Sequence, residues 1–162
     1  MAKVKRSLFK TFLNVGTSEI PDYALLGDGV TNAEIQYNPQ TVEETYIHQD
    51  SGTTEIESYR PTMPVEMSCV SGDDVFDFID GLRQSRAVLD AAKTDIVNVW
   101  VYEDEGVAGY PAEKQDVSIQ IDSFGGAGGE TNKINFTINF LGDPVEGEFD
   151  VDSGTFTEDS GS

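Results

Sequence analysis

The chain contains one histidine, His48, and one cysteine, Cys69, the side chain types best suited to acid–base, nucleophilic or metal-binding chemistry. No motif places a general base beside the cysteine, and neither residue has the further imidazole or thiolate ligands that a zinc site requires. We interpret His48 as a hydrogen-bonded loop residue and Cys69 as a small buried hydrophobic residue. We therefore expect a protein that is not an enzyme and holds no metal or cofactor.

The glycine run GGAGG at 125–129 has the composition of a phosphate-binding loop, because glycines let backbone amides approach an anion. Glu130 follows it, instead of the Lys-Ser/Thr pair of a nucleotide-binding loop, and the next segment has strand periodicity. We predict that the run forms the tip of a β-hairpin or a flexible loop between subunits.

The acidic segment 150–158 (DVDSGTFTE) spaces its carboxylates in part like a calcium-binding loop. It lacks the third carboxylate-type ligand and the glycine in the sixth position. The favoured interpretation is a solvated acidic tail, and specific calcium binding is the alternative.

Composition restricts the compartment and the partners. The 162 residues fit one domain spanning 1–162, and their formal net charge of -20 excludes nonspecific attraction to nucleic acid phosphates at physiological salt. The single cysteine excludes an intrachain disulfide and favours folding in a reducing cytoplasm. No apolar run is long enough for a signal peptide or a membrane helix, so we expect no export and no membrane contact.

The segment 115–141 organises the predicted fold. On both sides of GGAGG, apolar and polar residues alternate with period two, as in strands whose successive side chains point to opposite faces. The apolar positions are Val117, Ile119, Ile121, Ile134, Phe136, Ile138 and Phe140. The polar positions are Ser118, Gln120, Asp122, Asn135, Thr137 and Asn139. This pattern predicts a long β-hairpin with one buried and one polar face, although a slip of one residue in register would exchange the two.

The remaining segments predict more strands and one helix. Apolar residues at helical spacing after Asp73 indicate a helix that ends near Arg86, where a cation is favourable. The predicted strands lie at 65–70 and 94–102, and a second hairpin spans 22–47.

Three segments are predicted to extend from this domain. Residues 1–16 mix lysines and an arginine with apolar side chains, which fits either an arm that docks on an acidic neighbour or a first strand with solvated lysines. Residues 48–64 form a long ordered loop, and residues 142–162 form an acidic C-terminal arm with short strands near 148–151 and 155–157.

The order of these segments is distinctive. Its most telling parts are GDGV at 27–30, YIHQDSGTT with ESYRPTMP, the helix GDDVFDFIDGLR, the strand VNVWVYE, YPAEKQDVSIQIDSFGG and INFTINFLGDP. In this combination the chain resembles, over nearly its whole length, the major tail tube protein of long, non-contractile-tailed bacteriophages and their prophages.

The resemblance implies a mainly β fold of two packed antiparallel sheets, sandwich-like or barrel-like, with one flanking α-helix. Subunits of that family form hexameric rings whose inward strands join into a continuous β-barrel, and stacked rings form the tube through which the genome is ejected into the host. The implied partners are other copies of the chain, a tape measure protein in the lumen, and tail terminator and distal tail proteins at the tube ends. DNA passes without tight binding. The implied location is the virion tail, assembled in the host bacterial cytoplasm.

The resemblance also gives expectations for individual residues. The lumen-facing residues would be Glu34, Gln36, Glu43, Ser118, Gln120, Asp122, Asn135, Thr137 and Asn139. The inter-ring contacts would be Lys3, Lys5, Arg6, Phe9, Lys10, Phe12, His48, Tyr59 and Arg60. Removing residues 1–14 is expected to stop ring stacking while sparing the fold.

A different class of function remains open from the residues alone. A freestanding acidic β-sandwich binding module with calcium dependence would be a monomer whose melting temperature rises with calcium. It leaves the cationic N-terminal segment without a role.

Overall fold

The computed structural model describes residues 2–159. Its strands are β1 (Phe9–Asn14), β2 (Tyr23–Leu25), β3 (Val30–Ala33), β4 (Pro39–Glu44), β5 (Thr53–Tyr59), β6 (Thr62–Ser68), β7 (Lys93–Trp100), β8 (Tyr110–Gly125), β9 (Lys133–Asp150) and β10 (Thr155–Glu158). One α-helix, α1 (Asp74–Ser85), and two short 3-10 turns, Arg6–Leu8 and Leu89–Ala92, complete the elements.

The strands form two antiparallel sheets, which confirms the predicted mainly β class with one helix. Eight strands form one curled sheet in the order β2-β1-β7-β8-β9-β6-β3, with β10 paired to β9. The other sheet consists of β4 and β5 alone. The curled sheet therefore contains most of the strands, and the β4–β5 hairpin forms a separate two-stranded sheet.

The predicted long hairpin is the centre of the curled sheet. Strands β8 and β9 pair along almost their whole length, with Ser118 opposite Asn139 and Gln120 opposite Thr137. The glycine run forms the turn, as predicted, and Gly129 adopts a φ of 84°, which favours glycine. This pairing fixes the register that the sequence left open.

The apolar face of that hairpin lies in the larger of two cores. Val117, Phe136 and Ile138 are fully buried there, together with residues from β6 and β7. Alternation in β6 contributes Met63, Val65 and Met67 to the same core. Burying such side chains is worth about 1.5–3 kcal/mol each, so this face holds the sheet in its register.

Helix α1 covers the larger core. Asp73 caps its first turn by accepting a hydrogen bond from the backbone amide of Phe76 at 3.0 Å, and Val75 and Ile79 are buried beneath it. The helix ends at Arg86, whose φ of 49° is left-handed. The prediction of the helix and its cap is confirmed.

The opposite face of the sheet carries a second, smaller core. Phe12 of β1 and Phe149 of β9 pack there with ring centroids 4.5 Å apart, against Val97 and Val99 of β7. Strand β1 is consequently covered on both sides, because Leu13 is fully buried in the larger core. The prediction of an arm over 1–16 is thus wrong for Phe9–Asn14, and its alternative, a first strand, holds there.

Two further segment predictions are corrected. The hairpin predicted over 22–47 does not form, because β2 pairs with β1, β3 pairs with β6 and β4 pairs with β5. The segment 48–64 is not a loop, since it contains β5 and the start of β6. Threonines and isolated apolar residues obscured the alternation in β5, which is exposed on both faces.

The C-terminal segment is also more ordered than predicted. Residues 142–150 continue β9, and Phe149 is fully buried, so they are not an arm. Strand β10 folds back on this end of β9 and packs Phe156 against the smaller core, which agrees with the short strands predicted there. Residues 160–162 of the predicted acidic tail lie outside the described residues.

Candidate functional site

The polar side of the β8–β9 hairpin continues across two more strands. Asn139 lies opposite Thr62 of β6, and Asn135 lies opposite Glu66 of the same strand. Glu66 in turn pairs with Asn32 of β3. The order β8-β9-β6-β3 therefore forms a four-stranded surface, which we call the polar face.

Side chains on the polar face bond to each other. Gln120 donates through Nε2 to Asp122 at 2.7 Å, and the Thr137 hydroxyl donates to the other Asp122 oxygen at 2.7 Å. Asn135 donates through Nδ2 to the Ser123 hydroxyl at 3.0 Å. A β-bulge between Ile121 and Ser123 gives this segment its extra residue, Asp122. These bonds join neighbouring polar side chains along and across β8 and β9.

The charge on the polar face is negative. Its acidic residues include Asp122, Glu66 and Glu34, and none of the six predicted lumen positions of the β8–β9 hairpin is a lysine or an arginine. Lys133 lies at the turn end of β9, and Lys93 starts β7, where its ammonium group pairs with Asp90 at 3.0 Å. Such a surface repels polyanions.

Both outer edges of the polar face lack a strand partner among the described residues. Strand β7 pairs with β8 only as far as Ser118, so residues 119–125 are bonded to β9 alone. At the other side, β3 pairs only with β6. The Arg6 guanidinium donates to the Ala33 carbonyl at 3.1 Å, and no strand covers this edge in residues 2–159.

The two open edges run in opposite directions. Each neighbouring pair within β8, β9, β6 and β3 is antiparallel, and an even number of such strands reverses direction between the first and the last. Edge β8 of one copy can therefore pair with edge β3 of another without breaking the antiparallel alternation. Such a head-to-tail contact uses two different surfaces and repeats around a ring.

The structure brings together most of the predicted lumen residues. The six from the hairpin share the polar face. Gln36 exchanges two backbone hydrogen bonds with Thr62, at 2.7 and 2.8 Å, and so extends the row that contains Asn139. Glu34 is exposed between Gln36 and β3.

Glu43 is wrongly grouped with them, because it lies on β4 opposite Thr54 in the separate two-stranded sheet. The sequence analysis missed Thr62 and Glu66. Thr62 was assigned to the loop 48–64, and Glu66 was assigned to the strand 65–70 without a prediction of which side of the sheet it faces. Buried Met63, Val65 and Met67 alternate with more exposed residues in the segment TMPVEMS at 62–68, and this alternation predicts that Thr62 and Glu66 share the opposite face.

The predicted inter-ring residues divide into exposed and buried groups. Lys3, Lys5, Arg6, His48, Tyr59 and Arg60 are exposed. Phe12 is wrong as a contact between copies, since it is buried in the smaller core at 8% exposure. Phe9 and Lys10 are half-buried in β1, with the Phe9 ring stacked on Trp100 at 6.4 Å.

His48 and Cys69 lie in different parts of the chain's secondary structure. His48 stacks on Tyr46 at the tip of the β4–β5 hairpin, and Cys69 follows β6. Partial burial raises the pKa of the Cys69 thiol, with the Asp80 carboxylate adding to the shift. The Asp150 carboxylate accepts backbone amides of Asp152 and Ser153 in the β9–β10 turn, and these hydrogen bonds lower its pKa.

Within residues 2–159, no group of three or more His, Cys, Asp or Glu side chains is placed to hold a metal ion. Over the same residues, no helix has the length and apolar content needed to cross a membrane. In comparisons with known proteins, no family model and no curated protein matches the chain.

Proposed function

We propose that this protein is a structural subunit of a bacteriophage tail tube. Copies form a sixfold ring, the rings stack into a tube, and the polar face lines the channel through which DNA is ejected. The observation that carries the proposal is the four-stranded polar face with two open edges of opposite direction.

The chemistry of the polar face supports a role as a channel wall. A DNA channel has to let phosphates pass, and lysine or arginine side chains along its wall would hold them. The polar face instead presents amides, hydroxyls and the carboxylates of Asp122, Glu66 and Glu34. The channel proposed here is a surface for passage and not for binding, and it needs no catalytic residue, metal or cofactor.

Edge pairing between copies supports a closed ring. Open strand edges promote uncontrolled association, and joining β8 of one copy to β3 of the next would cover both edges at once. The apolar side of the same strands is already covered by α1 within each copy, so each subunit arrives with a folded core. Ring formation then requires backbone hydrogen bonds more than a large apolar interface.

Stacking of rings is assigned to two exposed segments of the subunit. The N-terminal segment before β1 carries Lys3 and Lys5 on a protein with a net charge of -20. The β4–β5 hairpin projects with both faces exposed, and Ile47 at its tip is fully exposed. An isolated two-stranded hairpin is marginally stable in water, which favours a partner for it in the assembly.

In this proposal the partners are further copies of the chain, a tape measure protein in the lumen, and tail terminator and distal tail proteins at the tube ends. Assembly takes place in the host bacterial cytoplasm, and the product is part of the virion.

Electron microscopy of the purified protein tests the proposal. Negatively stained samples at rising concentration should show rings or tubes of uniform width, and class averages should reveal sixfold symmetry. A strictly monomeric protein, with no tubes even when mixed with tail partners, would refute the proposed function.

A paired substitution tests the role of the open edge. Ile121→Pro removes a backbone donor from the unpaired part of β8 and should prevent ring closure. The control is Ala127→Pro in the exposed hairpin turn, which should leave rings intact. Circular dichroism of each variant separates a lost ring from a lost fold.

A further inference from the structure

A groove of about 750 Å³ lies beside the base of the β4–β5 hairpin. Its walls include the aromatic rings of Trp100, Tyr59 and Phe140, and its polar lining includes Glu113, Asp143 and Asn98. Aromatic walls with a few convergent polar groups are typical of a binding groove. We call it the Trp100 groove.

Neither carboxylate of the Trp100 groove makes a salt bridge within residues 2–159. Glu113 lies directly opposite Glu146 across β8 and β9, and like charges in that position are destabilising. Partial burial, with the Glu146 charge adding to it, raises the pKa of Glu113. The only ion pairs within residues 2–159 are Asp80 with Arg83 and Asp90 with Lys93, so neither Glu113 nor Asp143 has a basic partner there.

Asn98 adds an unused polar group to the groove. Its side chain is 7% exposed, and its amide oxygen accepts a hydrogen bond from the Thr11 hydroxyl at 2.8 Å. Its amide nitrogen makes no hydrogen bond to residues 2–159 and is accessible from the groove. The groove therefore offers a hydrogen-bond donor to a ligand that brings an acceptor such as a peptide carbonyl.

The chain carries a segment with complementary chemistry. Residues Ala2–Lys5 are exposed, and Lys5 has extended backbone angles, with φ -76° and ψ 148°. Val4 is 56% exposed between Lys3 and Lys5, so an apolar side chain lies between two ammonium groups. The segment supplies the positive charge, the apolar contact and the peptide carbonyls that the groove lacks.

We propose that the Trp100 groove receives the segment Ala2–Lys5 of a second copy of the chain, with Lys3 and Lys5 paired to Glu113 and Asp143. Val4 packs on the aromatic wall, and a backbone carbonyl accepts from Asn98. The inference rests on the self-assembly proposed above and names the surface that receives the segment.

The donor is a second copy because the groove is empty of the chain's own segment. The Phe9 ring stacks on Trp100, and the residues just before it, Arg6–Leu8, form a 3-10 turn. The Arg6 guanidinium then donates to the carbonyl groups of Phe9 and Ala33, at 2.6 and 3.1 Å, which fixes the start of the segment outside the groove. Ala2–Lys5 consequently point into solvent in the isolated chain.

A fluorescence titration tests this contact, because Trp100 is the only tryptophan in the chain. The receiving protein lacks residues 2–5, and the probe is a synthetic peptide of residues 2–7. Its addition should shift the Trp100 emission saturably. A peptide with Lys3→Glu and Lys5→Glu should give no saturable shift.

Substitutions in the receiving protein locate the site. Glu113→Gln should weaken peptide binding about fivefold, the scale of one partly exposed ion pair. Glu130→Gln in the exposed turn between β8 and β9 removes the same charge away from the groove and should leave the affinity unchanged. An unchanged affinity for Glu113→Gln, or an equal response to both peptides, would overturn the proposed site.

Fluorescence of the full-length protein and the presence of tubes distinguish failure of this inference from failure of the proposed function. Emission of the full-length protein that equals the peptide-bound value at every dilution would mean that the segment docks in its own chain, which overturns a contact between copies. Tubes without peptide binding would refute the Trp100 groove and leave the tube subunit standing. Peptide binding without rings or tubes would support the Trp100 groove and refute the tube subunit.

Discussion

A buried carboxylate shows how individual residues of this acidic protein are accommodated. Asp95 is 8% exposed and has Asp116 as its cross-strand neighbour. No cation approaches it in residues 2–159; instead, Asn14 donates to one oxygen at 2.8 Å and the Tyr23 hydroxyl to the other at 2.5 Å. Burial, followed by the hydrogen bond to Asp95, raises the pKa of Tyr23. Neutral hydrogen-bond donors thus satisfy both oxygens of this buried carboxylate.

Glu113 provides a test of pH dependence at the residue scale. Burial and the Glu146 charge raise its pKa in the folded state, so the folded protein binds a proton more tightly than the unfolded chain. The unfavourable contribution of Glu113 is therefore absent at low pH and grows as pH rises from about 4 to 7. Glu113→Gln should raise the free energy of unfolding by about 0.5 kcal/mol at pH 7, the scale of one cross-strand pair.

Denaturant unfolding at pH 4 and pH 7 measures this effect. The gain from Glu113→Gln should nearly vanish at pH 4, where the wild-type carboxyl is protonated. Glu130→Gln is the control, and it should give the same small change at both pH values. A gain for Glu113→Gln that is larger at pH 4 would contradict the assigned direction.

Elements with a single buried face were predictable from sequence. In residues 117–121 of β8 and 134–140 of β9 every second residue is apolar, and in α1 the apolar positions recur at helical spacing behind an Asp cap. Elements that depart from this pattern were misassigned. Strand β1 is buried on both faces and has no alternation, whereas β4 and β5 are exposed on both faces.

The position of β1 changes the expected result of N-terminal truncation. Deleting residues 2–14 removes Leu13 from the larger core and Phe12 from the smaller one, and it takes the pairing partner of both β2 and β7. Losing one such side chain costs about 2–5 kcal/mol, so this variant should not fold. Deleting residues 2–5 removes only exposed side chains and should leave the melting temperature nearly unchanged while stopping ring stacking.

Circular dichroism and electron microscopy of the two deletions check this prediction. The matched control keeps the length of the segment and replaces Ser7 by alanine, which alters neither the lysines nor the Arg6 contacts. Normal tubes from the variant that lacks residues 2–5 would contradict a stacking role for the segment. A folded variant that lacks residues 2–14 would contradict the importance of β1.

At the scale of the molecule, the sequence predicted the composition of the candidate site better than its extent. The polar side of the hairpin follows from local alternation, which is a property of adjacent residues. The union of β8 and β9 with β6 and β3, and the two edges left open, depend on contacts between residues distant in sequence. Glu43 shows the difference, since local parity alone grouped it with a sheet to which it does not belong.

The net charge of -20 predicts how assembly responds to salt. Copies repel each other through exposed carboxylates, and added salt shortens the range of this repulsion to about 8 Å at 0.15 M. The protein concentration at which tubes appear should therefore fall as sodium chloride rises from about 20 to 200 mM. Sedimentation of assembled material measures that concentration.

The peptide of residues 2–7 is the internal control for the salt experiment. Its attraction to the Trp100 groove should weaken over the same range, because screening acts on attraction as well as on repulsion. Assembly that weakens in parallel with peptide binding would show that a few ion pairs, and not the general repulsion, govern tube formation.

The four strands of the polar face also determine the bore of the proposed tube in discrete steps. Each copy adds four strands at about 4.8 Å spacing, or roughly 19 Å of circumference before strand tilt widens it. Six copies give a backbone diameter of about 37 Å, and gaining or losing one copy changes it by about 6 Å. No intermediate width is available to a closed ring, so an assembly error would appear as a measurable jump in calibre and not as a gradual distortion.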